Sequence, residues 1–242
     1  ELATQVAEVF QQLAQFSSLQ ILALIGGVDE APQVKKLKHG IDVLIATPGR
    51  MFDLQSRGLL RLDKTHWLIL DEADQMLALG FLRDIQDVVK RIPRKHQTLF
   101  FSATLQEAIK DLAYSLVQNP IRIQVSPRDP VSKNVDHQVA YIEMDDKRFF
   151  LERLIREEAA QKILVFVRTR VRAERVHEAM KRVGLDSLTL HGEKDQQERA
   201  LALEAFRTAA CRVLIATDVS ARGIDIPAVQ IVVNYDLPTQ AE

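Results

Sequence analysis

The feature that most constrains this chain is the recurrence of short, unbroken, β-branched apolar runs separated by segments with helical spacing. The runs are QILALIG (20–26), DVLIAT (42–47), WLILDE (67–72), TLFFSA (98–103) and IRIQV (121–125). A second series follows with VAYIEM (139–144), ILVFVR (163–168), SLTLH (187–191), VLIAT (213–217) and IVVNYD (231–236). Strands with few polar positions must be covered on both faces, which antiparallel hairpins rarely achieve and crossover helices do. Segments such as QEAIKDLAYSL (106–116) and RAERVHEAMKRV (172–183) place apolar residues at helical spacing between the runs. The pattern predicts an α/β fold built on parallel sheets.

One stretch breaks the alternation. SPRDPVSKNVDH (126–137) holds two prolines and no periodicity, and reads as a linker. It divides the chain into a first domain over 1–127, a linker over 128–137 and a second domain over 138–242. A length of 242 residues accommodates two such domains. Hydrophobic residues at 47% and charged residues at 27% exclude a disordered chain. No apolar run approaches the roughly 20 residues of a membrane span. Cys211 is the only cysteine, which excludes an internal disulfide and favours the cytoplasm. The net charge of −1 provides no global basic field, so any nucleic-acid binding must rest on local groups.

Ligands of open α/β sheets gather at the carboxyl ends of the strands. Those ends carry Gly26-Gly27, Thr47-Pro48-Gly49-Arg50, Asp71-Glu72-Ala73-Asp74, Ser102-Ala103-Thr104, Arg168-Thr169, His191-Gly192 and Thr217-Asp218. Three carboxylates after a buried run repel one another unless a cation is present. A carboxylate at a strand tip can hold the Mg²⁺ of a nucleotide through water, and its neighbour can work on the attacking water. Helix capping is the plainer reading and accounts for one acid, not three. Ser102 and Thr104 can bond the acidic turn or simply cap the next helix. The TPGR segment (47–50) offers a turn and a guanidinium to phosphate, or is a Pro-Gly turn with a solvated arginine. Gln196 and Arg199 share a helix face, although Arg199 can equally pair on a solvated face. In ATDVSARGID (216–225), Asp225 can bond a ribose hydroxyl, or the segment is a polar crossover. Phe100-Phe101 and Phe149-Phe150 read as core, Cys211 as a small buried hydrophobe. The histidines show no metal-ligand spacing.

Taken in order, these segments resemble the DEAD-box ATP-dependent RNA helicases over nearly the whole chain. ELA (1–3) is similar to the end of motif Ia, Gly26-Gly27 to the GG element, TPGR to motif Ib, DEAD (71–74) to motif II and SAT (102–104) to motif III. LVFVRT resembles motif IV, Gln196 with Arg199 the QxxR element, ATDVSARGIDIP motif V and VVNYDLP (232–238) motif Va. The resemblance implies two RecA-like domains that bind ATP between them and single-stranded RNA across both. It implies Asp71 as the Mg²⁺ residue, Glu72 as catalytic base, and Ser102 and Thr104 as the coupling to closure through Asp74. Gly223 and Asp225 would contact the nucleotide. Gly27, Thr47, Gly49, Arg50, Thr169, His191, Gly192, Gln196, Arg199, Thr217 and Asp218 would grip RNA, mainly at sugar and phosphate.

Two departures shape the remaining expectations. Nothing matches G-x-x-x-x-G-K-[ST], and the arginine-rich HRxGRxGR motif is not in the sequence. The expectation is an internal fragment, with the first domain truncated at its N-terminal side and the second at its C-terminal side, inactive in hydrolysis alone. The first sheet should then have an unfilled slot or open edges. The rival readings are a non-catalytic RNA-binding scaffold of helicase shape and a DNA-directed helicase of the same superfamily.

Overall fold

The computed structural model describes residues 2–104, 107–117, 119–125, 135–217, 226 and 228–237. The chain separates into two compact units, Val6–Asp136 forming one and His137–Glu242, together with the stretch Glu1–Gln5, the other.

The first unit runs α1 (Leu2–Leu13), β1 (Ile21–Leu24), α2 (Ala31–Leu37), β2 (Val43–Ala46), α3 (Pro48–Ser56), β3 (Trp67–Leu70), α4 (Ala73–Ala78), α5 (Leu82–Arg91), β4 (Gln97–Phe100) and α6 (Glu107–Leu116). Its strands form two separate parallel pairs, β1 with β2 and β3 with β4, in registers Ile21↔Val43 and Trp67↔Gln97. Leu22, Leu24, Met51 and Leu54 anchor one apolar core, and Leu70, Ile85 and Leu112 a second. Leu68 packs against both and links them. Alternate residues of β3 remain open to solvent, with Trp67 58% and Ile69 49% exposed. Each of these strands has a ladder partner on one side only among the described residues, so both pairs keep open edges.

The second unit runs α7 (Lys147–Glu157), β5 (Ile163–Val167), α8 (Arg170–Arg182), β6 (Leu188–Leu190), α9 (Gln196–Arg207), β7 (Val213–Thr217) and β8 (Ile231–Asn234). Its four strands make one parallel sheet in the order β6-β7-β5-β8. The strand period of two sorts side chains cleanly between the faces. Ile163, Val165, Val167, Val213 and Ile215 pack with α7 and α8, while Leu164, Leu214 and Ala216 pack with Leu203 and Phe206 of α9. Both faces are covered, which is why these strands read as continuous apolar runs. Each of the fully buried side chains contributes roughly 1.5–3 kcal/mol by transfer from water.

Two expected strands are absent. IRIQV (121–125) and VAYIEM (139–144) have no ladder partner among the described residues, and Ile121, Ile123 and Tyr141 are almost wholly exposed. Strand propensity without a partner leaves backbone groups hydrated and no sheet forms. TPGR is also not a free turn. Thr47 is the extended N-cap residue of α3 and Pro48 its first helical residue, a position where a missing N–H costs nothing. Phe100 is partly buried against the second core, but Phe101, Phe149 and Phe150 are half-exposed rather than core.

Candidate functional site

β3 ends at Leu70 and delivers Asp71, Glu72 and Asp74 into a tight connection to α4. Glu72 takes the left-handed conformation (φ 51°, ψ 44°), which is strained for a residue with a side chain. The surroundings hold it there. The Phe101 amide donates to the Leu70 carbonyl at 2.8 Å, and the Ala73 amide donates to the Phe101 carbonyl at 3.1 Å. Ala73 itself is fully buried. The parallel pairing of β3 and β4 thus continues past both strands and pins the acidic turn to the hydroxyl turn.

The three acids do different things. Asp74 accepts from the Thr104 amide and the Thr104 hydroxyl, both at 3.1 Å on Oδ2, and from the Gln75 amide at 3.2 Å on Oδ1. Ser102 donates to the Thr104 carbonyl at 2.7 Å, which fixes the shape of that turn. Among the described residues Asp71 accepts only the adjacent Glu72 amide, at 3.0 Å. Glu72 makes no ion pair or hydrogen bond through its carboxylate among the described residues. Burial pushes the Glu72 carboxyl above the usual range, and the neighbouring charges of Asp74 and Asp71 add to the shift. No cluster of three potential metal ligands exists among the described residues. A magnesium ion held through water needs fewer, because it keeps much of its own shell. The Asp71 carboxylate, exposed and bonded only within its own turn, fits that role.

Beside β1 and β2, Gly27 adopts φ 74°, a conformation that favours glycine. Gly26 and Gly49 have open space where a Cβ would stand. The Thr47 amide and hydroxyl both donate to the Leu24 carbonyl, at 3.1 and 3.4 Å. Arg50 donates from Nη2 to the Val28 carbonyl at 3.0 Å, and its other terminal nitrogen is buried with no partner among the described residues. A buried guanidinium nitrogen without an acceptor is costly unless a ligand supplies one. Gly27, Thr47, Gly49 and Arg50 therefore share one end of the β1–β2 pair.

The second unit collects its predicted residues at the ends of β5, β6 and β7. Thr169 caps α8 by accepting the Arg172 amide at 3.2 Å. His191 is buried, with Nε2 at 2.8 Å from Glu174 Oε1 and Nδ1 unpartnered. The same Glu174 oxygen accepts the Thr189 hydroxyl at 2.8 Å, and Lys194 lies at 3.6 Å. Burial works to raise the Glu174 carboxyl, but His191, Thr189 and Lys194 together hold it below the usual range. Gly192 follows His191, and Gln196 and Arg199 lie in the first turn of α9, which Asp195 and Glu198 close with reciprocal capping bonds. Thr217 ends β7. Asp218, Gly223 and Asp225 lie outside the described residues.

Sequence reasoning overlooked Asp236. Its carboxylate sits between the Arg168 amide (3.2 Å), Arg172 (3.4 Å) and Lys147 (3.4 Å), and only 10% of the side chain is exposed. Burial works to raise this carboxyl, yet the Arg168 amide, Arg172 and Lys147 hold it below the usual range. Asp236 thereby ties the end of β8 to the starts of α7 and α8, next to Thr169. An acid just past a strand end in NYDLP was the available signal.

The chain matches the DEAD/DEAH box helicase family over residues 1–112 and the helicase conserved C-terminal domain over residues 146–242. It is 36% identical over 244 residues to the DEAD-box ATP-dependent RNA helicase CshA of Bacillus subtilis, covering all of this chain and 49% of that protein. It is 36% identical over 243 residues to the ATP-dependent RNA helicase DeaD of Buchnera aphidicola from Acyrthosiphon pisum, covering all of this chain and 40% of the relative. The chain thus spans about half or less of these curated relatives. Among solved structures, S. cerevisiae Dbp5 bound to RNA and ADP BeF3 superposes with a TM-score of 0.84 at 33% identity, covering 100% of this chain and 61% of that one. The parallel sheets with polar groups at their strand ends are those of a protein with two RecA-like domains. The chain belongs to the DEAD-box helicases.

Proposed function

We propose that the whole protein is an ATP-dependent RNA helicase, and that this chain supplies its carboxylate site and much of its grip on RNA. The observation that carries the reading is the division of labour among the three acids. Asp74 is consumed by Thr104, whereas Asp71 and Glu72 have no cationic partner among the described residues. In this reading Asp71 holds Mg²⁺ through water, and the ion neutralises charge on the phosphates of ATP when bound. Glu72, whose proton affinity is raised, accepts the proton of the attacking water. Ser102 and Thr104 relay the state of the acidic turn through Asp74, and Gly223 and Asp225 contact the nucleotide.

RNA is held at the strand ends. Arg50 offers the nitrogen that has no partner among the described residues to a phosphate, Gly49 leaves open space for close approach of a backbone, and Gly27 shapes the neighbouring turn with its positive φ. Thr169 accepts a backbone amide but keeps its hydroxyl proton to donate. Gln196 and Arg199 stand at a helix N-terminus, which favours anions. His191, Gly192, Thr217 and Asp218 complete the path. Such contacts read sugar and phosphate rather than base, so binding is independent of sequence. We assign 1–127 and 138–242 to the two helicase domains, with 128–137 between them, and place the protein in the cytoplasm, where one unpaired thiol is stable.

The test is ATP hydrolysis by the whole protein, with and without single-stranded RNA, for wild type and Glu72→Gln. Expected are stimulation by RNA more than by DNA of the same sequence, and loss of about 10²–10⁴ in turnover for the variant with RNA binding kept. RNA binding without any stimulated turnover would overturn the reading and leave a non-catalytic scaffold.

A further inference from the structure

A groove of about 860 Å³ runs along the outer face of α8 and is closed on one side by the start of α7. The α8 residues Val171, Arg175, Ala179 and Arg182 follow one another at spacings of four, four and three. That spacing stacks them into a single stripe on the helix surface, alternately apolar and basic. Met144 and Arg148 face the stripe from the α7 side. Val171 and Met144 are more than half-exposed.

The arginines of these two helices fall into two groups. Arg153, Arg156, Arg170 and Arg172 are ion-paired to Glu157, Glu152, Glu193 and Asp236. Arg148, Arg175 and Arg182, all in the groove, make no ion pair among the described residues. Arg148 lies over the Phe149 ring, 4.5 Å from its centroid, which leaves the face of its guanidinium engaged and its N–H groups available. Arg175 and Arg182 are two helical turns apart, about 10 Å along the axis, which a peptide in the extended polyproline II conformation, with three residues per turn, spans in about three residues while returning every third side chain to the same side.

We propose that this groove binds an acidic, extended peptide segment of a protein partner. Carboxylates spaced about three residues apart would meet Arg175 and Arg182, an apolar side chain between them would cover Ala179, and one beyond the Arg175 contact would cover Val171 and Met144. Carboxylate and guanidinium match in a planar, two-point geometry. Apolar side chains between acids are what a peptide provides and a nucleic-acid backbone does not. Asp145, Glu174, Glu178 and Glu193 also line the groove, Glu174 and Glu193 being paired to His191 and Arg170, and these acids disfavour a continuous run of phosphates more than a peptide whose charges are spaced.

The test titrates the whole protein with a labelled twelve-residue peptide in which Asp residues flank Leu and Phe, read by fluorescence anisotropy. The variant carries Arg175→Glu and Arg182→Glu, both exposed positions, and its melting temperature is measured alongside. Expected is saturable binding to the wild type, weakened about tenfold or more in the variant. The same peptide with Lys in place of Asp should show the opposite preference, and affinity for a single-stranded RNA should be unchanged. Failure of the acidic peptide to bind the wild type, or equal binding to both proteins, would overturn the proposal. Loss of RNA affinity in the variant would overturn it too, assigning the groove to the RNA path.

Discussion

Replacing Asp236 with alanine should destabilise the second unit. Three donors converge on that carboxylate, from the Arg168 amide at 3.2 Å and from Arg172 and Lys147, each at 3.4 Å. The bond from the amide to a charged acceptor is worth about 1.5–3 kcal/mol. The two cations are 31% and 24% exposed and recover some hydration, so they add less than the roughly 3–5 kcal/mol of a broken buried pair. Taking these together, the loss is about 2–3 kcal/mol, or on the order of 10–15 °C in melting temperature for a domain of this size. Asp236→Asn keeps an acceptor for the amide and should lose about half as much. The folded state holds the Asp236 carboxyl below its ordinary value of about 3.9. Its contribution is therefore complete above that pH and disappears as the pH falls through the lowered folded value. Scanning calorimetry of wild type and Asp236→Asn at several pH values should show a constant gap from neutrality to about pH 5 that closes in stronger acid. A gap under about 0.5 kcal/mol, or one equally wide at low pH, would refute the reasoning.

Three further outcomes follow from the same geometry. Asp74→Ala removes both bonds from Thr104 and should cost about 1 kcal/mol, with faster amide hydrogen exchange at 101–104. Glu72→Gln should stabilise the fold slightly near neutral pH. The raised Glu72 carboxyl favours the folded state only while protonated, so its charge is a cost at pH 7 that vanishes in acid, where denaturant titrations of the two proteins should coincide. Amides of β1–β4, held in two-stranded pairs, should exchange faster than those of β5 and β7 in the interior of a four-stranded sheet. Equal and high protection in both units would contradict the open-edged first sheet.

The strand–helix alternation was legible because a parallel strand covered on both faces has no polar side, and Ile163–Val167 and Val213–Thr217 are such strands. The grouping of Asp71, Glu72 and Asp74 with Ser102 and Thr104 followed from the same logic, since strand ends of one sheet must be neighbours. What escaped was whatever depended on a partner. IRIQV has the residues of a strand but no ladder partner among the described residues, and propensity does not report pairing. Pro48-Gly49 carries a turn signal, yet proline is equally suited to the first turn of a helix. Asp236 was missed because Lys147 lies 89 and Arg172 64 residues away in sequence.

Trp67 is the only tryptophan, and it stands on the uncovered face of β3, four residues before Asp71. The protein therefore carries an intrinsic optical reporter of that sheet. Hydrated indole emits at long wavelength, and its emission moves to the blue when apolar groups replace water. Any strand or chain that comes to lie over β3 would announce itself in the fluorescence of this one residue, with no label added.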